Sequence, residues 1–188
     1  MDDGSPERLR ARALALVGVA FADRPAPASL TDSMQLSDAE CQQVMSFDAM
    51  TWQDVGFQQV QRCSDAVFWL SPEAFCYFLP GLLTASLREG SLAANAYEAL
   101  IGMLDRSPEP AFWDDFFAPR WTLLSPLEVE AVAAWVDWFE ALEPAAFYQG
   151  TFDRARGTLR LLRERIGGRV PRVTEDEPAR SSDAGEAP

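Results

Sequence analysis

A chain of 188 residues, 48% hydrophobic and 11% aromatic with a formal net charge of −13, is long enough to bury a core and too apolar to stay unfolded. All sixteen basic residues are arginine, and neither lysine nor histidine occurs. Serine–histidine, cysteine–histidine and serine–lysine nucleophiles are therefore excluded within this chain, as are a Schiff-base lysine, a phosphate-loop lysine and any histidine-bound metal.

Taken in chain order, Ser5-Pro6-Glu7 predicts a helix start, with serine as N-cap and proline in the first turn. Leu9, Ala13, Leu16 and Ala20 follow helical spacing, and Leu14, Val17 and Phe21 widen the apolar stripe. The run Ala13–Ala22 also looks like the apolar part of a secretory signal. Asp2, Asp3 and Glu7 cancel Arg8, Arg10 and Arg12, however, so an amphipathic helix is expected instead. It should end near Asp23, before Arg24-Pro25-Ala26-Pro27. Ser37-Asp38-Ala39-Glu40 reads as a capping box opening a short helix to about Ser46. Thr51–Asp54 caps another short segment with Trp52 as its anchor, and Phe57 to Val67 reads as helix.

Ser71-Pro72-Glu73 opens a helix to about Glu89, which Gly90 stops. Ser91 then caps a helix over Leu92–Leu104, and Ser107-Pro108-Glu109-Pro110 breaks the pattern. Ser125-Pro126-Leu127-Glu128 is a second capping box, opening a helix to about Leu142. A last helix runs from about Thr151 to Ile166 and closes at Gly167-Gly168. No two-residue alternation, hairpin signal or repeat occurs. The expected architecture is an all-α, single-domain bundle of about five to seven helices over residues 1–169, followed by a disordered acidic tail over 170–188.

The apolar run Phe68–Leu87 invites a membrane reading. Ser71, Pro72 and Glu73 near its start and the flanking Asp65, Arg88 and Glu89 argue for a central bundle helix instead. Pro80 predicts a bend there and leaves the Cys76 carbonyl without its helical donor, while Gly81 permits a neighbour to come close.

The segment Leu70–Leu83, LSPEAFCYFLPGLL, resembles the signature of a bacterial family known as a domain of unknown function. The likeness extends to ALVGVAF near the start, to Trp52 followed by Asp54, and to LSPLEVEAVAAWVDWF near the end, with Val129 where glutamine is usual. It covers roughly Leu14–Leu142 by motif order. It implies a helical cytoplasmic domain and brings no activity, cofactor or catalytic residue. Some families of this kind lie near toxin–immunity loci.

Two aromatic segments are candidate interaction sites. In Glu109–Trp121, aromatics bracket Asp114-Asp115; Phe112, Trp113, Phe116 and Phe117 can plug a core, and Trp113, Asp114, Asp115 and Phe116 can equally form a protein-binding hot spot. In the helix after Ser125, Trp135 and Trp138 lie on a second apolar stripe beside Val129, Val132, Val136 and Phe139, so they either meet a second neighbour or face a partner. Asp114-Asp115 lacks the further ligands a cation needs, and no metal or other cofactor is expected.

The last helix is basic. Thr151–Arg172 holds seven arginines and two acids, against nineteen acids and five arginines over residues 23–150, so its arginines are expected to lie over the acidic body as a charged lid. Net acidity argues against nucleic acid, and the apolar run Phe68–Leu87 lacks the basic face that a helix lying on a membrane surface would carry. Three cysteines, Cys41, Cys63 and Cys76, with no paired spacing suit free thiols in a reducing cytoplasm. The function expected is a small acidic helical module that binds a protein partner, with an immunity- or antitoxin-like inhibitor as its most specific form. The alternative is a carboxylate- or thiol-based enzyme or small-ligand protein built on Glu73, Cys76 and Tyr77.

Overall fold

Serine caps set the helix starts, and one helix apolar on every side sets what the others surround. The computed structural model describes residues 4–33, 35–144 and 150–168. Its helices are α1 (Pro6–Ala20), α2 (Asp38–Met45), α3 (Phe57–Arg62), α4 (Ala66–Trp69), α5 (Pro72–Glu89), α6 (Asn95–Leu104), α7 (Phe117–Trp121), α8 (Pro126–Leu142) and α9 (Thr151–Gly167), with 3-10 turns at Trp52–Asp54 and Pro110–Phe112. No strand occurs among the described residues, so the chain is an all-α bundle. Six helices have eight residues or more; α3, α4 and α7 are the short pieces that raise the count above the expected five to seven. The tail expected from residue 170 onward lies outside the described residues.

Both predicted capping boxes form. The Ser37 backbone N–H donates to the Glu40 carboxylate at 2.7 Å, and the Ser125 N–H to that of Glu128 at 2.6 Å. Each serine hydroxyl in turn accepts from the backbone of its glutamate. Ser71 Oγ accepts from the Ala74 N–H at 3.2 Å and opens α5. Such a cap contributes about 1 kcal/mol. At the other end of α5, Gly90 takes a left-handed φ of 69° and donates to Ser86 O. Arg10 from α1 donates to the Leu87 and Arg88 carbonyls, closing that terminus.

Residues Ala74 to Leu87 of α5 are buried without interruption. α1, α3, α7 and the Trp52–Asp54 turn all pack on it. Pro80 stands inside an otherwise continuous helix. Gly81 is the point of close approach: a Cβ there would lie 2.9 Å from Val55 Cβ and closer still to the Trp52 carbonyl. Only glycine lets the turn seat there. No helix among the described residues is long and apolar enough to cross a membrane.

Around this axis, α1 lies along α8, and α9 covers α8 and α6. Arg24, just past α1, reaches Glu128 in the first turn of α8 with 2.9 and 3.0 Å hydrogen bonds, so the two helices run antiparallel. Arg24 also donates to Leu123 O at 3.1 Å. Glu128 is only 3% exposed and serves both its own capping box and this pair. A buried carboxylate needs such complete pairing.

Two boundaries differ from expectation. The helix read over Phe57–Val67 is broken between α3 and α4. There the Gln43 side chain from α2 accepts the Asp65 N–H at 3.1 Å, and the Ser64 hydroxyl bonds back to Val60 O at 2.9 Å. The α6 start is Asn95, not Leu92, because Ser91 Oγ accepts from the Ala93 N–H in a local turn.

Candidate interaction surface

The segment Glu109–Trp121 turns its aromatic residues alternately inward and outward. Pro110–Phe112 makes a single 3-10 turn, the chain extends at Trp113, and Asp114 Oδ1 accepts the Phe117 N–H at 2.7 Å to open α7. Trp113 points inward: its Nε1 donates to Ser107 O at 3.0 Å, and its ring meets Phe117 edge-on at 5.1 Å. Phe117 stacks on Trp121 at 5.7 Å, and Trp121 meets Phe75 of α5 at 5.4 Å. These three rings anchor the segment to the central helix.

The other rings face out. Phe112 is 72% exposed. Phe116 is half-buried, with Phe68 of α4 beside it at 6.2 Å between ring centres. The Arg120 guanidinium lies 3.9 Å from the Phe116 ring centre and donates to the Phe116 and Leu70 carbonyls, both at 2.9 Å. Burial lowers the Arg120 pKa, and no carboxylate pairs with it among the described residues. The cation is held by carbonyl dipoles and the ring face. It fixes Phe116 in place, since a stacked, doubly bonded arginine has few other rotamers.

Beside this ring pair runs a groove of about 330 Å³ lined by Phe68, Ala99, Gly102, Met103, Arg106 and Phe116. Gly102 keeps its floor open, for a Cβ there would meet nothing within 4 Å. The groove's one charged lining residue is Arg106; exposed carboxylates stand close by in the chain, Asp114 and Asp115 before Phe116, Asp65 before α4, and Glu98 one turn before Gly102 on α6. Asp114 lies 3.5 Å from Arg106. Among the described residues no three carboxylate, thiol or imidazole groups gather as a metal site.

The structure thus brings Asp114, Asp115 and Phe116 to one surface, and seats Trp113 beneath them as the anchor. Trp135 and Trp138 are a correction: they are 0% and 1% exposed and offer nothing to a partner. α8 has α1 along one side and α9 along another, so both of its apolar stripes are covered. Trp135 Nε1 finds its partner internally, donating to Ser86 Oγ of α5 at 2.9 Å. Phe68 and Gly102 line the groove, Arg120 lies on its Phe116 ring, and all three were missed; Phe112, read as able to plug a core, is exposed instead. Phe68 sits at the edge of an apolar run that reads as core, and nothing local marks Arg120 as a stacking residue.

Glu73, Cys76 and Tyr77 do not converge. Glu73 is exposed, whereas Cys76 is wholly buried. The Cys76 thiol donates to the Arg120 carbonyl at 3.1 Å, and burial pushes its pKa up to about 12. Nucleophilic thiols need the opposite shift.

The charged lid forms in part. Arg154 bonds both Asp105 oxygens at 2.6 and 2.8 Å, and that hydrogen bonding holds the Asp105 carboxyl below the usual carboxylate range. Arg156 bonds Asp137 at 3.0 Å and also pairs with Glu140. Arg165 instead lies over the Trp113 ring, 5.9 Å from its centre. Compared with family models, with curated proteins and with solved structures, the chain matches none of them.

Proposed function

We propose that the protein is a small acidic interaction module that acts in the cytoplasm and docks a basic protein partner on the Phe68–Phe112–Phe116 surface. An immunity- or antitoxin-like inhibitor is the specific form this reading takes. The observation that carries it is Phe116, an outward ring clamped by Arg120 beside an open groove. Rigid aromatic anchors next to a pocket are what hot spots are made of. The exposed Asp114 and Asp115 next to Phe116 and a net charge of −13 favour a basic partner and oppose a second copy of the same chain. The motif likeness over Leu70–Leu83 adds no activity to this reading.

The experiment places a photo-crosslinking residue at Phe112 in the full chain and identifies the captured protein from its own host. The expected partner is basic, its affinity falls steeply with salt, and Phe116→Ala weakens it at least tenfold. Val19→Ala, at an exposed apolar position on α1, leaves it unchanged. An acidic partner, equal sensitivity at Val19, or capture of a second copy of this chain overturns the reading.

A further inference from the structure

A second cleft, of about 380 Å³, lies between the Arg106–Pro108 stretch and the outer face of α9. Such a volume suits a small molecule. Its lining combines apolar walls, Pro108 and Leu161, with the guanidinium groups of Arg106, Arg154 and Arg160. Asp153 is the lining's one carboxylate, and it lies 3.4 Å from Arg156. Arg154 is taken up by Asp105. Arg160 is exposed and makes no ion pair among the described residues. Arg106 lies 3.5 Å from Asp114, so Arg160 is the cation of this lining left without an ion pair among the described residues.

Two enclosed donors have no hydrogen-bond partner: Arg106 Nε and the hydroxyl of Thr158, a residue 2% exposed. Buried donors left unpaired are costly and uncommon, and both belong to residues of this cleft. Gly157 is the third observation. It sits in the middle of α9, where glycine weakens a helix. Packing does not require it, since a Cβ there would meet nothing within 4 Å. The missing side chain leaves the cleft open.

We infer that this cleft binds a small oxyanion carried on a compact apolar body, a carboxylate or a phosphate monoester. Arg160 supplies the charge, Arg106 Nε and the Thr158 hydroxyl the contacts to oxygen, and Pro108 and Leu161 the apolar walls. The cleft shares Arg106 with the groove at Phe116 but lies on α9 and holds none of that groove's other lining residues. Long-range repulsion by the net charge disfavours anions everywhere else on the chain. Binding must therefore come from the cleft contacts themselves.

The test is an amide-resolved NMR titration of the full chain with benzoate, phenyl phosphate, inorganic phosphate and neutral benzyl alcohol. Saturable shifts are expected at Gly157, Thr158 and Arg106 with benzoate or phenyl phosphate, and the tighter of the two identifies the head group. Benzyl alcohol and inorganic phosphate each lack one half of the ligand and bind at least tenfold more weakly. Gly157→Leu fills the cleft without opposing the helix and abolishes the shifts. Arg160→Gln, at an exposed position that leaves the fold intact, weakens binding about tenfold. The inference is overturned if no saturable shift occurs at millimolar ligand, if benzyl alcohol binds as tightly as the anions, or if both variants bind like the parent chain.

Discussion

Helix α8 and the segment Glu109–Trp121 are made of the same ingredients, tryptophan and phenylalanine beside carboxylates, and the fold uses them in opposite ways. α8 is continuous and covered by α1 and α9, so its rings all go inward and Trp135, Trp138 and Phe139 are each at most 1% exposed. The Glu109–Trp121 segment is broken twice. Each break redirects the next ring, so Trp113, Phe117 and Trp121 anchor while Phe112 and Phe116 face out. Aromatic content alone does not mark an interface. An interrupted backbone is what turns Phe112 and Phe116 outward while their neighbours anchor.

Substitutions on the two sides sharpen that contrast. Trp135→Ala should cost about 3–5 kcal/mol in urea unfolding, because it empties a buried site and strands Ser86 Oγ. Glu128→Ala removes the carboxylate half of the α8 capping box and leaves Arg24, 16% exposed, without its carboxylate partner; a loss of about 3 kcal/mol is expected by the same measurement.

Cys76 tests the tie between α5 and α7. Its thiol ionises near 9.0 when exposed and near 12 when folded. The raised value means its contribution is complete below pH 9.0 and is lost as pH rises towards 12. By about pH 11 the loss should reach about 2–3 kcal/mol, and Cys76→Ala should flatten that alkaline slope.

Phe116→Ala is expected to cost below about 1 kcal/mol, and Phe112→Ser within about 0.5 kcal/mol of nothing, while both weaken partner capture. A Phe116 variant that loses as much stability as Trp135→Ala would collapse the distinction between the two regions.

Where structure is decided locally, the sequence is readable. Ser37 with Glu40, Ser125 with Glu128, and Ser71 before Pro72 start helices where cap chemistry says they should. Gly81 was legible too, as a small residue beside a proline in an apolar helix. What was not legible depends on partners far along the chain. Gln43 breaks the helix before Asp65, and α1 and α9 together hide Trp135 and Trp138. Both clefts rest on glycines inside helices, Gly102 in the last turn of α6 and Gly157 in the middle of α9, which a sequence presents only as weak points in a helix. Their role shows once the space around them is known to be empty.

The Arg24–Glu128 contact joins positions 104 residues apart. During synthesis α1 is made before the other described helices, and α8, which it lies along, follows about a hundred residues later. At about 5–20 residues per second, α1 waits on the order of 5–20 s for its neighbour. Through that interval α5 is the one large neighbour α1 can reach, and the face meant for α8 stays uncovered, the state in which a chaperone would meet it.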